Sequence, residues 1–559
     1  MSLTSIINIA TSGVLAQQRA IGATSENIAN LTTPDFARRE VTFRADPVIS
    51  QLSGVQAQIV RDAGNSFLQQ AFASATSDSA ALETRSAALS RIVGTLGEIG
   101  DDLSFADRAS ATTAAFARLG ADPASPAARA EALSALDQTL AAFGRTRAAI
   151  SAETEQASQR LDTDLETVNT ILIRIGSLNR QLGNGASPGG IADQLSQEIS
   201  ALGTLIDVTV SRDDLGRATL TGPGGQSLAD TTGAARLIRG EGPVPQVFVS
   251  ALSATPETAV AGTIDIAPSV RGGSIGGAFA LITEDLPALQ AFVDGAQNDF
   301  VVALNGAVAG NVSFPAGDLV GTGALTDEDI AALTGSSALG ILDVDGNLLS
   351  QISIDFTTNE ISVNGGGPTT FAPTLDGLTS ALTIASDGAV NATVNNGTLS
   401  LSALGPNGIA IANDTAGLAA RAGFNPLIVA DAGTPTGLRV VSENLRVGRL
   451  DLAETTPGDR ATGIDDGRGA NALFAAGRGQ AAQLANTLGS IGAAANAVGE
   501  DAAVAAALAQ SLEVQNISEN GINLEEELSN LILFQQAFNA NARVIAAADE
   551  LYDSILALL

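Results

Sequence analysis

The sequence predicts an α+β multidomain protein. In it, long N- and C-terminal helices pair as a coiled coil, a helical bundle domain lies next to them, and β-rich domains are inserted in the middle. Apolar residues recur at alternating spacings of three and four near both ends of the chain, while short alternating runs separated by Gly and Pro fill the centre. The 559 residues also exceed the roughly 250 to 300 at which a single core stops growing.

The first helix is predicted to run from Leu3 to Leu31, because an apolar heptad seam extends over this range. It is expected to stop at Thr32-Thr33-Pro34, since the residue before a proline disfavours the helical conformation. The seam residues expected to pack against a helix or a neighbouring subunit are Ile7, Val14, Ile21, Ile28 and Leu31.

The last helix is predicted to begin near Asn523 and to run to the last residue. Asn523 is placed to cap it with Glu526 three residues on, and acidic residues in the first turn favour its positive N-terminal dipole. The seam residues expected to pack here are Leu528, Leu531, Phe538, Ile545, Tyr552 and Leu556.

Each terminal helix has one apolar stripe and no other core to join. The stripes are therefore predicted to bury each other or a neighbouring subunit. The alternative is that each helix packs on an ordinary globular domain, and periodicity alone does not separate the two.

The order of helical and β-rich segments predicts three domains. Residues 1–45 with 520–559 form the terminal helical coiled-coil domain, and 46–205 with 442–519 form a mainly helical domain, with helix continuing from about residue 57. Residues 206–441 form one or more β-rich outer domains, with one inserted helix near 286–305.

Composition excludes most catalytic chemistry. The chain has no His, no Cys and no Lys, so it cannot form a Ser-His-Asp triad, a thiolate nucleophile, a Schiff base or a Walker lysine. Its formal charge of −32 opposes nucleic acid and anionic lipid surfaces. We therefore predict that the protein is not an enzyme, uses no metal or cofactor, and binds neither nucleic acid nor membrane.

Three motifs that could carry chemistry are better interpreted as turns. Asp343-Val344-Asp345-Gly346-Asn347 has its glycine at the wrong position for a calcium loop and predicts a hairpin turn. The glycines at 272, 273, 276 and 277 lack a dinucleotide fingerprint and predict a tight turn with close packing. Asp213-Asp214 and Asp465-Asp466 are expected in exposed turns.

The N-terminal sequence has no basic region followed by an unbroken apolar run, so we expect no cleavable signal peptide. No stretch approaches the ~18 to 20 apolar residues of a membrane span.

Several motifs together resemble a known family. Three stretches near the N-terminus are similar to the signature shared by flagellar rod, hook and hook-associated proteins: Ala10-Thr11-Ser12-Gly13-Val14-Leu15-Ala16-Gln17-Gln18, Ser25-Glu26-Asn27-Ile28-Ala29-Asn30 and Thr33-Pro34-Asp35-Phe36-Ala37-Arg38. Asp35 departs from the usual glycine.

Later segments narrow the resemblance to the FlgK family of hook-associated proteins. These are the stretch from Asp207 to Leu228, the stretch from Arg271 to Asn305, and the C-terminal motifs Gly521-Ile522-Asn523-Leu524-Glu525-Glu526-Glu527, Phe534-Gln535-Gln536-Ala537-Phe538 and Leu551-Tyr552-Asp553. Ile282-Thr283-Glu284 replaces a stretch that usually contains arginine.

The resemblance implies a structural subunit of the bacterial flagellum at the hook-filament junction, which allows the filament to attach. It implies self-association into a ring, hook protein below, and a second junction protein and flagellin above. It further implies flagellar type III export to the cell exterior, with a chaperone of the FlgN kind on the C-terminal helix.

Two alternatives remain. One is another axial protein of the hook or rod, which would share the N-terminal motif; the segment from Gly521 to Phe538 is expected to argue against it. The other is a secreted adhesin or glycan hydrolase, although aromatic residues make up only 3% of the chain and sugar-binding platforms are usually aromatic.

Overall fold

The computed structural model describes residues 3–33, 36–45, 54–61, 65–97, 104–183, 188–242, 244–255, 262, 264–434 and 437–556. The chain divides into two compact units. Unit 1 comprises Met1–Ala88, Thr154–Asp285 and Asn496–Leu559, and unit 2 comprises Leu89–Glu153 and Leu286–Ala495. The three-domain division expected above stays a prediction.

Helices dominate the described residues. They are α1 (Leu3–Ala29), α2 (Ser66–Leu96), α3 (Phe105–Ala121), α4 (Pro126–Gly183), α5 (Pro188–Leu205), α6 (Gly273–Ala280), α7 (Leu286–Ala309), α8 (Asp327–Ala331), α9 (Leu375–Ala385), α10 (Leu418–Ala422), α11 (Arg468–Asn520) and α12 (Leu524–Leu556). A π-helical turn, Leu281–Asp285, joins α6 to α7, and short 3-10 turns lie at Pro223–Gly225, Ala267–Ser269 and Ser442–Asn444. The pattern therefore fits the predicted α+β class.

The strands are short and pair in antiparallel fashion. They are β1 (Arg39–Ala45), β2 (Val55–Arg61), β3 (Thr209–Arg212), β4 (Ala218–Thr221), β5 (Ser227–Ala229), β6 (Leu237–Arg239), β7 (Val247–Val249), β8 (Leu319–Ala324), β9 (Ser336–Leu342), β10 (Leu348–Asp355), β11 (Glu360–Val363), β12 (Thr369–Thr370), β13 (Val390–Asn395), β14 (Thr398–Ala403), β15 (Gly408–Ala412), β16 (Ile428–Ala430) and β17 (Leu438–Val440).

Unit 1 contains the small sheets β1-β2, β3-β4-β5 and β6-β7. Its core lies where the second half of α4 meets α5, α6 and the strands β4 to β7. Leu172, Ile175 and Leu195 are fully buried there. Burial of such side chains is the main stabilising contribution to this unit.

Unit 2 contains a five-stranded sheet in the order β12-β11-β10-β9-β15, together with β13-β14-β8 and β16-β17. One core lies among these strands, α9 and α10. Among its helices, the rings of Phe105, Phe143 and Phe300 pack in series, with centroid separations of 5.0 and 6.2 Å. Strands of the predicted β-rich middle thus contribute to the cores of both units.

The terminal elements largely confirm the sequence prediction. Helix α1 ends at Ala29, two residues before the predicted end, and α12 begins at Leu524. The Asn523 side chain caps α12, since its Oδ1 accepts from the backbone N–H groups of Glu525 and Glu526 at 3.0 and 3.4 Å. The proline expected to end α1 and residues 557–559 lie outside the described residues.

The hairpin β1-β2 corrects two expectations. Residues 39–45 were assigned to a helical terminal domain and helix was expected from about residue 57, but both stretches are strands, with Val41 opposite Ile59 and Phe43 opposite Ala57. The alternation of apolar and polar residues in both stretches has the period of a strand.

Candidate assembly interface on the terminal helices

Helix α1 packs along α12 within unit 1, as the two apolar stripes predicted. The face of α1 that becomes fully buried is made mainly of small side chains. Its residues are Ser5, Ala10, Gly13, Ala16, Ala20, Ala23, Thr24 and Asn27. Because these side chains are small, the axis of α12 can approach α1 closely.

Gly13 shows how close this approach is. A Cβ atom added at Gly13 would lie 2.8 Å from the side-chain atoms of Asn541 on α12, which is shorter than real contacts allow. The Asn541 side chain is itself held by a 3.0 Å hydrogen bond from its Nδ2 to the carbonyl of Ala537. Position 13 therefore sets the spacing between the two helices.

The predicted seam residues flank this buried face instead of forming its centre. Ile7, Val14, Ile21 and Ile28 on α1 are half-buried, and the last three each follow a fully buried residue, Gly13, Ala20 and Asn27. On α12, Leu531, Phe538 and Ile545 are also half-buried. Leu31, Leu528 and Tyr552 are exposed, and the side chain of Leu556 lies outside what the structure describes. Their role in packing between subunits stays a prediction.

The β1-β2 hairpin covers part of the helix pair. Its strands lie against α1, and the Phe43 ring meets the Phe534 ring of α12 edge to face at 5.9 Å. The backbone N–H of Val55 donates to the Ser12 hydroxyl at 3.0 Å. These contacts were not predicted, because no strand was expected here.

A buried polar network fixes the start of α12 against the end of α1. The Asn27 side chain is fully buried; its Nδ2 donates to Glu527 Oε2 at 3.1 Å and to the Arg39 carbonyl at 3.0 Å, and its Oδ1 accepts from the Arg39 N–H at 2.8 Å. The Asn27 side chain therefore connects α1, β1 and α12.

Arg38 closes the network from the hairpin side. Its guanidinium contacts Glu527 at 2.8 Å and Glu526 at 2.6 Å, and although partial burial opposes it, these two carboxylates raise the pKa of Arg38. The Glu527 side chain is 2% exposed, and each of its carboxylate oxygens accepts a hydrogen bond, one from Arg38 and one from Asn27. A buried carboxylate requires such partners.

Arg39 extends the network to α5 by forming an ion pair with Asp193. Both side chains are nearly buried. The motifs at the two ends of the chain, Ser25 to Arg38 and Asn523 to Glu527, thus meet in one network. No sequence periodicity indicates such a contact, because it joins residues 500 positions apart.

Beyond these contacts, large apolar side chains remain exposed on the flanks of the helix pair, and we call them together the open face. Its residues are exposed large apolar side chains of α1 and α12: Ile9, Leu15, Leu524, Leu528, Ile532, Leu533, Val544 and Leu551. A single exposed apolar side chain needs no explanation, but several on one helix pair make it a candidate surface for burial by further helices.

By length and composition, one helical stretch of the described chain, Arg468–Ser554, contains a window that could cross a membrane, with a mean hydropathy of 1.2. No such stretch was expected from the sequence.

The motifs considered for chemistry have structural roles. Asp343 closes the turn between β9 and β10: its carboxylate accepts from the backbone N–H groups of Asp345 and Asn347 and from the Asn347 amide, which lowers the pKa of Asp343. The predicted hairpin turn is confirmed. Gly273 has φ +72°, and a Cβ there would lie 2.2 Å from the Leu205 carbonyl carbon, which confirms close packing.

The acidic pairs differ from each other. Asp213 lies in the turn between β3 and β4, as expected, and its hydrogen bonds with Arg217 lower the pKa of Asp213. The exposed position expected for Asp466 is wrong: its side chain is mostly buried and accepts from Arg468 and Thr462. Among the described residues, no group of three or more metal-ligating side chains comes together.

The family comparisons agree with the motifs. The model of the flagellar hook-associated protein FlgK helical domain matches residues 89–320, and the model of the flagellar basal body rod FlgEFG protein C-terminal region matches residues 514–558. These matches support the resemblance to the FlgK family. The second match covers α12 and the end of α11, so this part of the chain is similar to the C-terminal region of rod proteins.

Curated relatives carry the name "Flagellar hook-associated protein 1". The chain is 26% identical over 301 residues to the protein of Salmonella typhimurium, a match that covers 51% of this chain and 53% of the relative. It is 25% identical over 298 residues to that of Escherichia coli K12 with the same coverage, and 24% identical over 234 residues to that of Bacillus subtilis, covering 39% and 44%. The match to the first two FlgK relatives thus spans about half their length.

A solved structure described as the flagellar hook junction protein FlgK from Burkholderia pseudomallei matches with a TM-score of 0.48 and 17% identity. The match covers 80% of this chain and all of that one.

Proposed function

We propose that this protein is a structural subunit of the bacterial flagellum that self-associates into a ring at the hook-filament junction and allows the filament to attach. The observation that carries the proposal is the open face on a helix pair whose register is fixed by the Asn27 network. A surface of apolar side chains on paired helices is suited to burial by neighbouring helices of the same kind. The matches to FlgK proteins support a place in the flagellum.

The partners follow from that position. Hook protein lies below the ring, and a second junction protein and flagellin lie above it. The chain reaches this extracellular site by flagellar type III export. Before assembly, a chaperone of the FlgN kind covers the C-terminal helix, because that helix exposes Leu528 and Ile532.

The protein is not proposed to be an enzyme. Members of the family are flagellar structural proteins. The composition supports this proposal, because a chain without His, Cys and Lys lacks the usual general bases and nucleophiles.

Another axial role, in the hook or rod, is the second candidate. One observation favours it: the model that matches residues 514–558 is that of rod proteins, so the segment from Gly521 to Phe538 does not argue against this role as expected. The match of residues 89–320 to the FlgK helical domain favours the junction instead.

Deletion of the gene separates these roles. We expect electron microscopy to show hooks without filaments, and flagellin to appear in the culture medium, because the filament has no base on which to polymerise. Missing hooks would assign the chain to the hook or rod. Normal flagella in a strain without a second copy would rule out both roles.

A further inference from the structure

Unit 1 contains a groove of about 850 Å³, apart from the open face. One wall is formed by α11, where Asp501, Val504, Ala505 and Leu508 line the groove. Their spacing of three and four residues places them on one face of that helix. Val504 and Leu508 are 70% and 54% exposed, so the groove is open to solvent along this face.

Helix α2 supplies a second row of lining residues. Ala75, Asp78, Leu82 and Arg85 recur at the same alternation of three and four. The two rows extend over about two to three helical turns, roughly 10 to 15 Å. This length and this mixture of apolar and charged side chains match one face of an added amphipathic helix, whose anchors recur at the same spacing.

Acidic groups outnumber basic groups around the groove. Among the described lining residues there are two arginines, Arg85 and Arg271, and four carboxylates, Asp78, Asp265, Glu284 and Asp501. Arg85 is already paired with Asp285 through two 2.8 Å hydrogen bonds, and Arg271 lies 3.9 Å from Glu284. Asp78 and Asp501 are exposed, one on each helix, so both can pair with cations of a bound segment.

The surroundings of Asp78 favour a cation most clearly. Burial raises the pKa of Asp78, and no cation among the described residues opposes this shift. Burial and, to a smaller degree, the Asp78 carboxylate also raise the pKa of Asp207. The Oδ1 atom of Asp207 is buried and accepts no hydrogen bond from the described part of the chain. A positive charge beside Asp78 would therefore be attracted by two carboxylates.

We propose that this groove binds a basic amphipathic helix of another protein, with apolar side chains against Val504 and Leu508 and a Lys or Arg beside Asp78. Helix-in-groove recognition combines such apolar anchors with complementary charge. A second copy of this chain is a poorer occupant, because it carries a formal charge of −32 and has no lysine. The site goes beyond the proposed function, since it involves a different partner and residues outside the α1-α12 pair.

A synthetic peptide serves as the probe. It is a fluorescently labelled helix of leucine and lysine, about 15 residues long, with the leucines on one face. Its binding to the purified full chain is measured by fluorescence polarisation. We expect a Kd in the micromolar range, weaker binding at higher salt, and no binding of a matched peptide in which glutamate replaces lysine.

Variants locate the bound peptide. Asp78→Asn combined with Asp501→Asn removes the groove carboxylates, and Val504→Gln removes an apolar anchor; each should weaken binding roughly three- to tenfold. Glu155→Gln combined with Glu166→Gln is the control, because it removes the same charge from exposed positions of α4 and should bind as the natural protein does. Hydrogen exchange should slow at residues 501–508 when the peptide binds.

Three results would overturn the proposal. One is the absence of binding. Another is an equal loss in the groove pair and the control pair, or unchanged binding by Val504→Gln, which would show that the peptide binds the acidic surface in general. The third is self-association of the purified chain that Val504→Gln abolishes, which would make a second copy the occupant. The hook-filament role is tested separately by gene deletion, so it can stand or fail independently of this site.

Discussion

At the scale of single residues, the pairing of the terminal helices depends on small side chains on the buried face of α1. Ala10, Gly13, Ala16 and Ala20 form the buried face of α1, while larger side chains of α12 and the flanking isoleucines cover its sides. Interiors are packed as densely as organic crystals, so added volume at such a face forces the backbones apart.

Gly13→Val tests this spacing. The new side chain would collide with Asn541, and we expect a loss of about 1 to 3 kcal/mol in the free energy of unfolding of unit 1, followed by urea titration. Gly22→Val is the matched control, because a Cβ at Gly22 meets nothing within 4 Å. Equal stability of the two variants would show that α12 does not approach α1 as described.

The Asn27 network is the second residue-scale feature. Glu527→Ala removes the acceptor shared by Asn27 and Arg38, and leaves a fully buried amide short of a partner. We expect a loss of about 1 to 3 kcal/mol in the free energy of unfolding.

Glu525→Ala serves as its control in the same urea titration, since Glu525 is exposed in the same helical turn. It should change the stability by less than about 1 kcal/mol through the helix dipole alone. A Glu527 variant no less stable than the Glu525 variant would contradict the network.

At the scale of elements, each terminal helix has one face that is buried within the chain and exposed apolar side chains beside it. One face of α12 meets α1 in the same chain, and the exposed apolar side chains on its flanks belong to the open face. Variants on the buried face and on the open face should therefore differ in their effects on folding and on assembly.

Ile28→Asp and Phe538→Asp place a charge where the side chains are half-buried at the α1-α12 contact. We expect both to abolish assembly, because an unpaired carboxylate is costly to bury in an apolar seam. Swimming in soft agar and the fraction of cells with filaments measure the effect. Gln18→Asp, on an exposed position of α1, is the control; normal swimming by either seam variant would contradict the assignment.

Leu528→Asp probes the open face. Leu528 is 44% exposed in the single chain, so the urea midpoint of the purified protein should stay close to that of the natural protein. Filament formation should be lost, because a neighbouring subunit has to bury this position. A variant that folds and assembles normally would remove Leu528 from the interface.

The sequence predicted the type of most elements better than their contacts. Heptad spacing located α1 and α12, and Asn523 predicted the start of α12, because periodicity and capping are local properties. The predicted seam was displaced by one position, since a seam chosen by hydrophobicity favours Val14 and Ile21 over their neighbours Gly13 and Ala20. Close approach of the two backbones requires the smaller residues instead.

Two features were not predicted, for different reasons. The Asn27-Glu527 contact joins distant parts of the chain, and nothing in either segment specifies the other. The β1-β2 hairpin was missed although its alternation of apolar and polar residues was visible, because the helical pattern on both sides was extended across it.

At the scale of the whole molecule, two properties of the chain oppose each other. Its formal charge of −32 keeps copies apart at long range, while the open face favours association at short range. Such a chain can stay soluble until it is placed next to other subunits. The −32 charge and the exposed α12 together explain why a chaperone is proposed for this helix.

The central claim is that copies of this chain cover the open face at the hook-filament junction. Leu528→Cys is labelled with a maleimide in the purified single chain and in purified flagella, with Val344→Cys as the exposed reference. We predict that Leu528→Cys reacts in the single chain and is protected in flagella, while Val344→Cys reacts in both. Equal labelling of Leu528→Cys in the two states would contradict the claim.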